Sequence, residues 1–127
     1  MIFSAMAEHN RLGAWGERVA CDTLVAAGYA IVERNWRVGH YEIDIIASKG
    51  TRIVFVEVKT RGDAYVDPLD AVDAKKQMRM GRAADAYMRH YNIPLEAQFD
   101  IILIIGSEND YTVEHISDAF LPPMKSY

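Results

Sequence analysis

A chain of 127 residues, half of them hydrophobic, is long enough to close one core without disulfides or metals as folding aids. Its net charge of -4 has the wrong sign for a protein that coats nucleic acid, yet it suits an enzyme whose acids sit in a catalytic centre. The single cysteine, Cys21, rules out an internal disulfide and a cysteine-based zinc centre, and it fits a reducing cytoplasm.

In chain order, the periodicity of Leu12, Trp15, Gly16, Val19, Ala20, Thr23, Leu24 and Ala27 predicts a helix from about Asn10, closed by Gly28. Ala30 to Arg37 reads as a strand, followed by a hairpin of strands from about Tyr41 to Ser48 and Arg52 to Thr60. The stretch from Arg61 to Leu69 is turn-rich. Asp70 or Asp73 then caps a second helix that reaches about Tyr91 and ends at Asn92-Ile93-Pro94. Phe99 to Ile105 reads as a buried strand and Tyr111 to Ser117 as a last one. The order α-β-β-β-α-β-β implies an α/β fold, a mixed central sheet with a helix on each side, and a crossover through the second helix that sets two central strands parallel. One domain over residues 9–120 is expected, with 1–8 and 121–127 as mobile ends. No run approaches the roughly 18 apolar residues that cross a bilayer. The start lacks both the basic and the apolar regions of a leader, so the reading is a cytoplasmic protein without a membrane partner.

Charge inside the hairpin strands needs a reason. Glu42 and Asp44 alternate in Glu42-Ile43-Asp44-Ile45-Ile46, and Glu57 and Lys59 alternate in Phe55-Val56-Glu57-Val58-Lys59, so each pair shares a strand face. With Lys49 and Gly50 as the loop, Ser48 pairs with Thr51, Glu42 faces Glu57, and Asp44 and Glu57 become diagonal neighbours. Carboxylates so placed repel unless a proton or a cation intervenes, and Lys59 supplies one positive charge. Hard oxygen ligands without histidine or cysteine favour Mg²⁺ or Mn²⁺ over zinc. A divalent ion beside a lysine is a recurring means of hydrolysing phosphodiesters. The plainer reading is an ion-paired strand end in which Lys59 satisfies Glu57.

Other polar residues divide between two readings. Glu17 lies at the edge of the first helix's apolar stripe, so it either leans toward the sheet or remains a solvated flank residue. Gln77 falls near the middle of the second helix's stripe, where its buried amide meets a carboxylate, a metal-bound water or a backbone carbonyl. Lys75, Arg79 and Arg82 recur on the opposite face, whose default is solvent. Arg61, in phase with Lys59, and Arg34, Trp36 and Arg37 are the better candidates for a nucleic-acid track. The four histidines, His9, His40, His90 and His115, show no metal-ligand spacing.

Gly16-Glu17-Arg18, Arg34-Asn35-Trp36-Arg37, Glu42-Ile43-Asp44, Phe55-Val56-Glu57-Val58-Lys59-Thr60-Arg61, Lys76-Gln77 and Phe99-Asp100, in this order, resemble the YraN-type family of small bacterial proteins. That family resembles PD-(D/E)xK superfamily nucleases and archaeal-type Holliday junction resolvases, which implies a restriction-endonuclease-like core. By position, the resemblance makes Asp44 and Glu57 metal ligands, the Val58 carbonyl a third ligand, Lys59 the catalytic lysine, Glu17 a helix-borne acid and Gln77 a supporting polar group. It also adds Lys76 to the nucleic-acid track. Two departures stand out, Tyr41 where the family usually has glycine and Gln98 where it has arginine. The expected function is metal-dependent cleavage of DNA, in branched or damaged structures, with a homodimer if the substrate is a symmetric junction. The rival is a nucleic-acid-binding or protein-interaction module on the same fold. A hydrolase of small phosphorylated molecules would instead require a closed pocket.

Overall fold

The computed structural model describes residues 2–62 and 67–122, with side chains from Asn10 onward. The elements are α1 (Ile2–Ala26), β1 (Ala30–Val38), β2 (Tyr41–Lys49), β3 (Arg52–Arg61), α2 (Pro68–Ala71), α3 (Ala74–His90), β4 (Glu96–Ser107) and β5 (Asp110–Ile116). The strands form one five-stranded sheet in sequence order, antiparallel throughout except for the parallel pair β3–β4. That pair is joined through α2 and α3, as the long apolar runs of both strands lead one to expect. The result is a mixed α/β fold with a helix layer on each face of the sheet, consistent with a nuclease-like core.

Each helix seals one face. Trp15, Ala20 and Leu24 of α1 pack with Ile45, Ala47, Val54, Val56, Ile102 and Ile104. Met80, Ala83, Ala84 and Tyr87 of α3 pack with Ile43, Ile46, Ile53, Phe55, Phe99 and Ile101. β3 and β4 therefore have apolar neighbours on both sides. No helix among the described residues is long and apolar enough to cross a membrane.

The helix ends follow local chemistry. At the close of α1, Gly28 takes φ 92°, and Tyr29 N–H reaches back to the Leu24 carbonyl at 2.9 Å, the turn that glycine permits. Of the two aspartates proposed as caps for the second helix, Asp73 does the work, accepting Lys76 N–H at 2.9 Å. Asp67 caps the short α2, and Asp70 lies inside it. α1 begins at Ile2, eight residues before the Asn10 expected from the apolar stripe. The stretch 63–66 and the tail 123–127, which was expected to be mobile, lie outside the described residues.

The hairpin register differs from expectation in a useful way. Lys49 pairs with Arg52, so the two loop residues are Gly50 and Thr51 rather than Lys49 and Gly50. Gly50 has φ 57°, the conformation that such turns require and glycine supplies cheaply. The slip is by two residues, so face parity survives, and the ladder ends at Ile45–Val56, with Asp44 and Glu57 the next residues on their strands.

Two features hold the layers in place. Gly16 lets α1 lie close on β3, since a Cβ there would meet the Thr60 hydroxyl oxygen at 2.5 Å. On β4, Asp100 is fully buried and accepts four hydrogen bonds: Tyr29 Oη (2.9 Å), His115 Nε2 (2.8 Å), Gln98 Nε2 (2.9 Å) and the Asp118 backbone N–H (3.0 Å). Burial by itself would raise the Asp100 pKa, but His115 and the other three donors outweigh it and hold the carboxyl below its ordinary value. This network ties the α1–β1 turn, β4 and β5 together.

Gly16→Ala should destabilise by ~1–2 kcal/mol despite alanine's helix advantage, whereas in a Thr60→Ala background the same change should be neutral or stabilising by up to ~1 kcal/mol, read by urea denaturation. Equal cost in both backgrounds would remove the close-approach argument. Asp100→Asn should cost ~2–4 kcal/mol near pH 7, because an amide presents donors to donors. Since the folded pKa lies below the unfolded value, Asp100 contributes its stability above about pH 4 and loses it as pH falls, so the penalty should shrink in acid melts.

Candidate metal and phosphate site

The polar residues singled out in the sequence meet where two strands change face. Ile45 belongs to the core under α1 and Ile43 to the core under α3, although residues two apart on a regular strand share a side. β1 does the same: Arg34 reaches Glu17 of α1, while Trp36 lies edge-on to Tyr87 of α3 with centroids 5.1 Å apart. The step falls at Asn35, which has φ 53° and, between the pairs Arg34–Ile45 and Trp36–Ile43, sits opposite Asp44. Asparagine tolerates this left-handed region better than most residues. Its amide nitrogen then joins the Arg34 guanidinium on the same Glu17 oxygen, both at 3.1 Å.

Asp44 is thereby placed between the two faces. One of its oxygens accepts the Val58 backbone N–H at 2.9 Å, in place of continued strand pairing. Glu57, only 4% exposed, pairs with Lys76 of α3 at 3.3 Å. Burial first, and then the charge of Glu57, push the Asp44 carboxyl from its ordinary 3.8 up to about 7. The Val58 N–H and Lys76 oppose that rise, and Glu17 adds to it, which locates all four groups within electrostatic reach of Asp44. Lys59 follows Glu57 on the same face of β3, half-buried and without an ion-pair partner among the described residues.

Other expected members are placed differently. Glu42, expected to share a face with Asp44, is drawn to Arg37 at 3.4 Å at the hairpin tip. The Gln77 amide donates to the Val72 carbonyl at 3.2 Å, the backbone partner among the alternatives. Arg61 is exposed and donates to its neighbour's carbonyl, that of Thr60. Arg34 is engaged by Glu17, and Trp36 is packed against the core under α3.

Among the described residues, no group of three or more His, Cys, Asp or Glu side chains converges closely enough to hold a metal. Asp44 and Glu57 form a pair, and Glu17 stands apart on its own cation. A pair is compatible with Mg²⁺ or Mn²⁺, because such ions keep several waters and bind through one or two carboxylates together with substrate phosphate. The donors are all hard oxygen, and the half-buried Asp44 carboxyl is short of positive charge. A hollow of about 690 Å³ beyond the end of β3, lined by Gly62, Ile105, Gly106, Ser107, Asp110, Tyr111 and Thr112, contains none of these residues. Sequence reasoning missed the Asn35 kink and the Lys76–Glu57 pair, which depend on tertiary placement. It also passed over the Asp100 network, although an acid within the apolar run Phe99-Asp100-Ile101 carries the same signal as Glu57.

Fold and site define a mixed α/β protein with an acid pair and a neighbouring lysine on a central strand. The chain belongs to the Uncharacterised protein family UPF0102, whose match covers residues 16–104, in agreement with the motif resemblance. It is 48% identical to a UPF0102 protein of Bacteroides thetaiotaomicron over 94% of this chain and 99% of the relative. It is 46% identical to one from Parabacteroides distasonis over 94% of this chain and 100% of the relative. A UPF0102 protein of Flavobacterium psychrophilum is 40% identical over 91% of this chain and 98% of its own length.

Asp44→Asn should stabilise the protein in mild alkali. The folded pKa lies above the unfolded one, so stability is full below about pH 4 and declines as pH rises through 7. The variant, free of that charge but still able to accept the Val58 N–H, should gain on the order of 1–3 kcal/mol near pH 8 and nothing near pH 4, read by thermal melts. A variant less stable than wild type at the higher pH would show that Asp44 is a structural anion.

Proposed function

We propose that this protein is a divalent-metal-dependent nuclease that hydrolyses phosphodiester bonds in DNA, with branched or damaged structures as substrates. The observation that carries the reading is the half-buried Asp44 and the buried Glu57, with the unpaired Lys59 next on the same strand face as Glu57. Acids concentrated where a phosphate approaches serve no obvious folding purpose, and here Asp44 is held against its ordinary ionisation.

In this reading Asp44 and Glu57 hold Mg²⁺ or Mn²⁺, together with the Val58 carbonyl. The bound ion supplies Lewis acidity and a lowered pKa for water. The Val58 N–H fixes the orientation of the Asp44 carboxylate. Lys59 donates hydrogen bonds to the attacking water or to a phosphate oxygen and offsets charge that develops there. Arg34 and Asn35 hold Glu17 at the rim, where it orders water. Gln77 acts indirectly, bracing the start of α3 through Val72 and so positioning Lys76.

A second reading, a binding module without turnover, draws on one specific observation. Lys76 already answers Glu57, and the Val58 N–H already answers one Asp44 oxygen, so the pair is partly satisfied by protein alone.

The test is a panel of labelled linear, single-stranded, flapped and four-way-junction DNAs with Mg²⁺ or Mn²⁺. Wild type should cut at least one of them, and Asp44→Asn, Glu57→Gln and Lys59→Ala should each lower the rate by about 10²-fold or more. Unchanged cutting in the variants would remove the site assignment. Binding without cutting, equal in all four proteins, would establish the second reading.

A further inference from the structure

The charge balance of the molecule is uneven. Six of the described cations, Arg11, Arg34, Arg37, Arg52, Lys76 and Arg89, have carboxylate partners. Seven do not, and five of these fall on two elements: Lys59 and Arg61 at the end of β3, and Lys75, Arg79 and Arg82 on α3. The other two, Arg18 and Lys49, stand apart on α1 and at the far end of β2, where Lys49 donates to the Ala27 carbonyl. A chain of net charge -4 has acids to spare, yet leaves this group unanswered.

The three α3 cations share their helix with Lys76, which itself reaches Glu57. At 100° per residue, Lys75, Arg79 and Arg82 fall within a sector of about 60°, turned roughly 120° from the buried Met80, Ala83, Ala84 and Tyr87 and toward the Lys76 side. They span ~10 Å along the axis. One end of the stripe is fixed by Lys76 on Glu57, the other by Arg82, whose guanidinium donates to the Tyr41 hydroxyl at 3.2 Å, next to the β1–β2 turn. Three acids close in sequence or space are occupied, Asp73 as the cap of α3, Glu42 by Arg37 and Asp85 by Arg89, while Asp70 of α2 stays exposed.

The stripe offers charge without a stacking platform. Trp36 is committed edge-on to Tyr87, and the Tyr41 hydroxyl is committed to Arg82. Surfaces that take single strands stack unpaired bases on free aromatic rings, whereas a duplex presents its phosphates outward and its bases inward. We propose that the flank of α3 carrying Lys75, Arg79 and Arg82, continued by the β1–β2 turn, docks the phosphate backbone of duplex DNA and leads one strand to the acid pair. The inference rests on the nuclease reading for its choice of DNA. It moves the nucleic-acid track away from Arg34, whose charge is answered by Glu17, and Trp36, which packs against the core under α3, to a face whose default reading is solvent.

The experiment is fluorescence anisotropy without added metal, across a salt series, with a labelled DNA duplex, one of its single strands and an RNA duplex of the same sequence. Lys75→Gln/Arg79→Gln/Arg82→Gln should weaken binding of the DNA duplex at least tenfold near 0.1 M salt and flatten the log–log salt slope by about 2–3, at about 0.9 per phosphate lost. Arg11→Gln/Arg18→Gln, an equally exposed control on α1, should change affinity less than twofold. Circular dichroism and melting confirm that the triple variant is folded, and Arg82→Lys should recover the slope lost in Arg82→Gln. An unchanged slope in the folded triple variant, tighter binding of the single strand or the RNA duplex, or no binding by wild type would each overturn the proposal. The cleavage assay is independent: wild-type cutting with an unaffected triple variant sinks the docking face alone, and loss of binding in the triple variant without any cutting by wild type sinks the nuclease reading alone.

Discussion

A strand with a helix packed over each face has no side turned to water, and β3 is such a strand, paired on both edges and covered above and below. Any charge carried within it must be answered by other protein groups, by a proton or by an ion. The positions of Lys76, Asp44 and the Val58 N–H around Glu57 follow from that single constraint. So does the termination of the hydrogen-bonded ladder between β2 and β3 at Ile45–Val56, where a carboxylate replaces the next backbone partner.

Two aspartates on β2 and β4, the strands that flank β3, show what the constraint permits. Asp100 receives four donors, and its carboxyl is held below the ordinary range even though burial works the other way. Asp44 receives one backbone donor, faces another acid, and is driven upward. The first arrangement consolidates a fold, since every lone pair directed inward meets a proton. The second leaves an anion poorly compensated at the mouth of a strand, which is how sites that act on charged ligands are commonly built. An acid in an apolar run is therefore ambiguous in sequence, and only the count of its donors separates structure from chemistry.

The architecture was legible because its signals are long. The 3.6 periodicity of α1 and α3 and the apolar runs of β3 and β4 predict the layers, the mixed sheet and the parallel crossover. The convergence of Asp44 and Glu57 was legible too, since a register slip of two residues preserves faces. What escaped was non-periodic. The paired change of face at Asn35 and Asp44 depends on one left-handed residue, and nothing in Arg34-Asn35-Trp36 distinguishes that from a continuous strand. The assignment of cations likewise depends on which carboxylate lies within reach: Arg34, Arg37 and Lys76 found partners, while Lys75, Arg79 and Arg82 did not.

That distribution of partners also says what the site lacks. Glu17 has Arg34 and Asn35, Glu42 has Arg37, and Glu57 has Lys76, each close enough to balance one negative charge. Asp44 alone among these acids has no cation of its own, and it is the most enclosed by other acids, with Glu57 and Glu17 both raising its proton affinity. Lys59, on the adjacent strand, stays unpaired. A site arranged only for stability would close Lys59 onto Asp44 and end there. In the proposed reading, an acid short of positive charge on β2 and a lysine without an ion pair on β3 suit a ligand that brings both signs, as a hydrated divalent ion bound to a phosphate does.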